Sequence, residues 1–129
     1  MGGLLDPLGS ARVLGVHCGA VTDPARTVSE LASGPSGTHC KPETLRLRLD
    51  QVGDGYGTPT AAASAALTLT ARTEGIVLDP IYTGRAMAGL IAAVEDGDVV
   101  PGQRTVFLHS GVCPVSSVTR QRSRNWRRR

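Results

Sequence analysis

The sequence predicts an α/β fold built on a mostly parallel sheet, and three observations lead there. Short apolar runs alternate with helix-period segments in the order strand, helix, strand, glycine loop, two helices, strand. Leu45, Leu47 and Leu49 alternate with Arg46, Arg48 and Asp50, the period-two pattern of a strand with one covered face. Met87, Leu90, Ile91 and Val94 recur at helical spacing and draw one apolar stripe.

Each element has a local reason. Residues 12–16, RVLGV, are a short branched apolar run suited to a buried strand. A helix is expected over residues 23–31, because Asp23 can cap it and Pro24 suits its first turn. Val28 and Leu31 would face the core. Three glycines within residues 53–57 disfavour any regular element and make a tight loop that holds Tyr56. An Ala-rich helix follows over residues 61–73, capped by Thr60 and closed by Gly75. A further helix runs from Thr83 or Gly84 to Glu95 and stops at Gly97. Asp79 before Pro80 reads as a turn residue, and Met87 as core filler. After a Pro101-Gly102 turn, residues 105–108 form another buried-strand candidate, and His109, Ser110 and Gly111 follow its end. In parallel sheets ligands bind beyond such carboxyl ends.

Composition narrows the function classes. With four aromatics in 129 residues, a core must be built from Ala, Val, Leu and Ile. Six arginines fall within the last ten residues; the other 119 carry eight basic and eleven acidic groups. The net charge of +3 is therefore a basic tail on a mildly acidic body, and gives no reason to read the body as nucleic-acid binding. Cys18, Cys40 and Cys113 form no CxxC pair, and His17 and Cys18, adjacent on a strand, would point to opposite faces. No metal site is expected. No apolar run is long enough to cross a bilayer, no secretory leader pattern opens the chain, and the expected compartment is cytoplasmic. There is no GxxxxGK[ST], GxSxG or HExxH.

One region is more specific. Residues 74–90, EGIVLDPIYTGRAMAGL, resemble a signature of the D-cysteine desulfhydrase and aminocyclopropanecarboxylate deaminase family of pyridoxal-phosphate enzymes. GYGTPT at residues 55–60, Pro101-Gly102, and FLHSG at residues 107–111 keep that family's order and approximate spacing. The resemblance implies a partial three-layer parallel sheet of the tryptophan-synthase-β-like fold. Residues 1–119 would be the C-terminal part of a pyridoxal-phosphate-dependent (fold type II) catalytic domain, and residues 120–129 a disordered basic tail.

It also implies roles. Tyr56 and Tyr82 match the family's active-site tyrosines near substrate and cofactor, with Tyr82 the acid/base or nucleophilic partner. Thr83 and Ser110 would lie near the pyridine nitrogen of pyridoxal 5'-phosphate. Hydroxyls at both positions, in place of the deaminases' Glu and Leu, favour β-elimination of a thiol over cyclopropane opening. The implied partners are a small amino-acid substrate and either a second copy or a missing N-terminal half.

The sequence also departs from the family. The one lysine, Lys41, stands outside the family's lysine motif, and no phosphate cradle is recognisable unless residues 1–5 are its trailing edge. Residues 31–53 are short for the family, and the arginine-rich end replaces an expected apolar helix. The chain therefore reads as a fragment of a D-cysteine desulfhydrase-like lyase, releasing sulfide, pyruvate and ammonia in its complete form and inactive alone. The alternatives are a deaminase-like portion, or a small nucleic-acid-binding protein that uses its basic tail with Trp126.

Overall fold

The computed structural model describes residues 1–33 and 40–109. Expectations that fall on Ser110, Gly111, Cys113, His39 and the basic tail lie outside these residues.

The order of elements is α1 (Gly2–Leu8), β1 (Leu14–Val16), α2 (Pro24–Ala32), β2 (Arg46–Arg48), α3 (Ala61–Glu74) and α4 (Thr83–Glu95). Single 3-10 turns precede each strand, at Ser10–Arg12 and Pro42–Thr44. The strands pair in parallel, with Leu14 opposite Arg46 and Val16 opposite Arg48. The His17 N–H donates to the Arg48 carbonyl at 2.8 Å and extends the ladder. The architecture is α/β, as the alternation of patterns predicts.

Strand alternation sorts the helices into layers. A Cβ on Gly15 would meet the Met1 sulfur at 2.4 Å and Leu47 Cδ2 at 2.8 Å, so α1 starts against that face. On the same face Val13 joins Leu5 and Ala32 in a buried cluster, flanked by Met1, Leu4, Val28, Cys40 and Leu45. Val16 points the other way, where a Cβ on Gly89 of α4 would lie 2.6 Å from Val16 Cγ2. Arg48, on that second face, ion-pairs at 2.7 Å with Asp96, just past the end of α4, and at 2.7 Å with Asp50. Helices thus cover both faces of a narrow sheet.

The caps follow the sequence. Asp23 Oδ1 accepts the Arg26 N–H at 3.0 Å, and Thr60 Oγ1 accepts the Ala63 N–H at 3.0 Å. Gly75 closes α3 in the left-handed region at φ 67°.

α1, with Leu5 buried, is a helix that periodicity did not signal. Three expectations need correction. Leu31 is 70% exposed, while Val28 beside it packs on the core. On α4 the buried residues are Thr83, Gly84, Arg85, Ala88, Gly89 and Ala93; the Met87, Leu90, Ile91 and Val94 stripe is only partly covered. The physical reason is close approach, because Val16 contacts the helix where Gly89 offers no Cβ. Finally, residues 105–108 form no strand, and Val106 is 90% exposed. An isolated apolar segment is not stabilised as a strand until it gains a partner edge and cover.

Candidate active site

Two glycine-dependent turns and one helix start create the site. Gly55 adopts φ 143°, a conformation open to glycine alone, and so turns the chain immediately before Tyr56. The loop seats on the segment after β1, where a Cβ on Gly19 would come within 3.3 Å of the Tyr56 nitrogen. Tyr82 stands at the other wall, as the residue from which α4 departs.

The loop and the helix start bring the phenols together. The Tyr56 and Tyr82 hydroxyls are hydrogen-bonded to one another, either able to donate. Their rings meet edge to face, with centroids 6.0 Å apart and planes at 64°. Both tyrosines are about half exposed, at 51% and 47%, so the pair lines an open rim. A phenol oxygen both donates and accepts, so this pair can pass a proton between its oxygens and toward a small molecule at the rim.

Asp79 fixes the start of α4. Its Oδ1 accepts from the N–H groups of Ile81 at 2.9 Å and Tyr82 at 2.6 Å, and its Oδ2 accepts from the Thr83 N–H at 2.9 Å. The Thr83 hydroxyl donates to Oδ2 at 2.6 Å and accepts the Asp79 N–H at 2.8 Å. Asp79 is 2% exposed. Burial pushes its carboxyl toward the neutral form. The hydrogen bonds from Thr83, Tyr82 and Ile81 outweigh that and hold it below the usual aspartate range. The carboxylate also sits at the helix N-terminus, where negative charge is favoured. Thr83 is itself buried, with its hydroxyl proton engaged inside this cap.

Arg85, one turn further on, is fully buried. Its Nη1 donates to the Cys18 carbonyl, and its Nη2 to the carbonyls of Gly55 at 2.8 Å and Thr58 at 2.6 Å. These acceptors flank Tyr56 and anchor the loop after β1. The buried Nε–H has no acceptor among the described residues, a cost of about 1–3 kcal/mol that the three carbonyls must offset.

The structure therefore juxtaposes Tyr56 and Tyr82 and buries Thr83, the next residue, in the Asp79 cap, while Ser110 lies outside the described residues. Sequence reasoning missed Asp79 as a cap and Arg85 altogether. A signal for the first existed, since Asp79 precedes a helix start with a hydroxyl residue four positions on. None existed for Arg85, whose acceptors are loop carbonyls up to 67 positions away.

The two phenols share an exposed rim, while the Thr83 hydroxyl is turned into the Asp79 cap. Lys41 enters β2 from its amino end, exposed at the 3-10 turn there. It is not set to anchor a cofactor beside the tyrosines.

The sequence matches the family of pyridoxal-phosphate dependent enzymes over residues 4–111, and the chain belongs to that family. It is 45% identical to a D-cysteine desulfhydrase of Klebsiella pneumoniae (strain 342) over 66 residues, 51% of this chain and 20% of the relative. A D-cysteine desulfhydrase of Yersinia pestis (strain Pestoides F) is 46% identical over 60 residues, 46% of this chain and 18% of the relative. One from Yersinia enterocolitica is 40% identical over 74 residues, 57% of this chain and 22% of the relative. The chain thus spans about a fifth of the length of these curated relatives. No helix among the described residues is long and apolar enough to cross a membrane.

Proposed function

We propose that this member of the pyridoxal-phosphate dependent family contributes, through residues 1–119, the substrate-facing tyrosine side of a D-cysteine desulfhydrase-like lyase. The observation that carries the reading is the pairing of Tyr56 with Tyr82. Two motif blocks 26 positions apart deliver their phenols to one exposed rim. The relatives named D-cysteine desulfhydrase support the choice of reaction.

Pyridoxal phosphate, when bound, supplies the electron sink that β-elimination of a thiol requires. Tyr56 and Tyr82 hold and move a proton at their phenol oxygens beside the amino-acid substrate. Asp79 and Thr83 fix the helix start that aims Tyr82. Hydroxyl residues at positions 83 and 110 favour desulfhydration over deaminase chemistry, because neither offers a carboxylate to a ring nitrogen. The lysine that anchors the cofactor comes from another segment, so this chain by itself is inactive. The proposed compartment is the cytoplasm.

The test adds pyridoxal phosphate and D-cysteine to the isolated chain, then repeats the assay with the lysine-bearing part of the Klebsiella enzyme. The chain alone is expected to give neither the visible absorbance of an anchored cofactor nor sulfide, and the mixture is expected to give both. Sulfide from the isolated chain overturns the inactive-alone reading. A mixed complex that binds cofactor but forms no sulfide overturns the reaction.

A further inference from the structure

The Tyr56 loop meets the start of α4 at the exposed Tyr56–Tyr82 pair. The loop is glycine-rich, its residues are mostly exposed, and its internal turn bond, Thr58 N–H to Gly55 carbonyl, is long at 3.4 Å. One buried side chain also joins the two. Arg85 leaves α4 three positions after Tyr82 and satisfies the Gly55 and Thr58 carbonyls with a single nitrogen, while its other terminal nitrogen reaches the Cys18 carbonyl. Among the described residues its acceptors are all backbone carbonyls. A carboxylate partner would have neutralised the charge; three carbonyls on two loops instead spend it on loop position.

We infer that Arg85 is the positioning residue that sets Tyr56 against Tyr82, acting as a clamp between the helix carrying one phenol and the loop carrying the other. The inference rests on the functional reading above for its purpose, but not for its test. A planar guanidinium with its donors in a fixed fork sets the loop in two directions at once. A lysine would keep the Gly55 and Thr58 contacts through one ammonium and release Cys18. An apolar methionine would fill similar space and release all three.

The chain has two tyrosines, so ring labelling reports the pair without ambiguity. The experiment measures ring-to-ring nuclear Overhauser contact in tyrosine-labelled full chain, for the parent, Arg85→Met and Arg85→Lys, with helix content followed by circular dichroism. The parent and R85K are expected to show the contact. R85M is expected to lose it while keeping helix content, a change that stability loss alone does not produce. Survival of the contact in R85M, its loss in folded R85K, or failure of R85K to fold overturns the clamp. If R85M does not fold, R85K decides by the same criterion. Sulfide release is read separately, so an intact clamp without turnover counts against the reaction and not against Arg85.

Discussion

Replacing Asp79 with alanine tests how the site's helix is anchored. The substitution removes the acceptors of three backbone N–H groups and one hydroxyl. The N–H groups of Ile81 and Tyr82 lie beside partly or fully exposed residues and regain water. Thr83 is 5% exposed, so its N–H and hydroxyl do not. Buried unsatisfied groups cost about 1–3 kcal/mol each, and loss of a cap about 0.5–2 kcal/mol. Allowing for overlap between these, D79A should destabilise by about 2–4 kcal/mol, and D79N, which keeps one acceptor oxygen, by about 1–2 kcal/mol. Urea titration followed by helical circular dichroism reads this as a lower midpoint at unchanged slope. The pH dependence supplies a second check. The folded carboxyl is held below the ordinary aspartate value of about 3.9, so its contribution is full above that value. It is lost as pH falls through the lower folded value. D79A should lose that part of the acid slope. The part due to Asp50, whose carboxyl is likewise lowered, first by its hydrogen bond from Arg48, should persist. A D79A chain within about 0.5 kcal/mol of the parent, the range of ordinary surface changes, would refute the reasoning. So would an unchanged acid slope.

Two further outcomes follow from the packing. Gly89→Val should cost about 1–3 kcal/mol in the same titration, because its side chain enters space held by Val16 Cγ2, 2.6 Å from an added Cβ; a neutral result would mean α4 does not lie this close to β1. Thr60→Ala should cost about 1 kcal/mol through the lost cap on Ala63, and Thr60→Ser should restore most of it; equal stability of all three would remove the cap from the account.

Much of the fold was legible because local chemistry and tertiary structure agree. Asp23 and Thr60 cap the helices they were expected to cap, and Gly75 ends α3. The tyrosine pair was legible only through motif resemblance, since nothing in spacing alone brings residues 56 and 82 together. What failed did so for tertiary reasons. The apolar stripe of α4 suggested a buried face, yet the sheet selects the smallest surface, at Ala88 and Gly89. Residues 105–108 are largely apolar, yet they pair with no strand among the described residues and stay mostly exposed. Arg85 drew no reading from the sequence, because acceptors on distant backbone leave no mark in a side-chain pattern. Asp79 was read as a turn, although the same carboxylate that makes the turn caps the next helix.

The most direct measurement places residues 53–111 of this chain into the matching segment of the Klebsiella D-cysteine desulfhydrase, which supplies the rest of the enzyme, and follows sulfide release from D-cysteine. The chimaera should retain turnover within about tenfold of its parent, and Tyr82→Phe within it should lower turnover by about 100-fold or more, the scale of a lost proton-transfer group. A folded, cofactor-loaded chimaera that releases no sulfide, or one indifferent to the loss of the Tyr82 hydroxyl, would contradict the account.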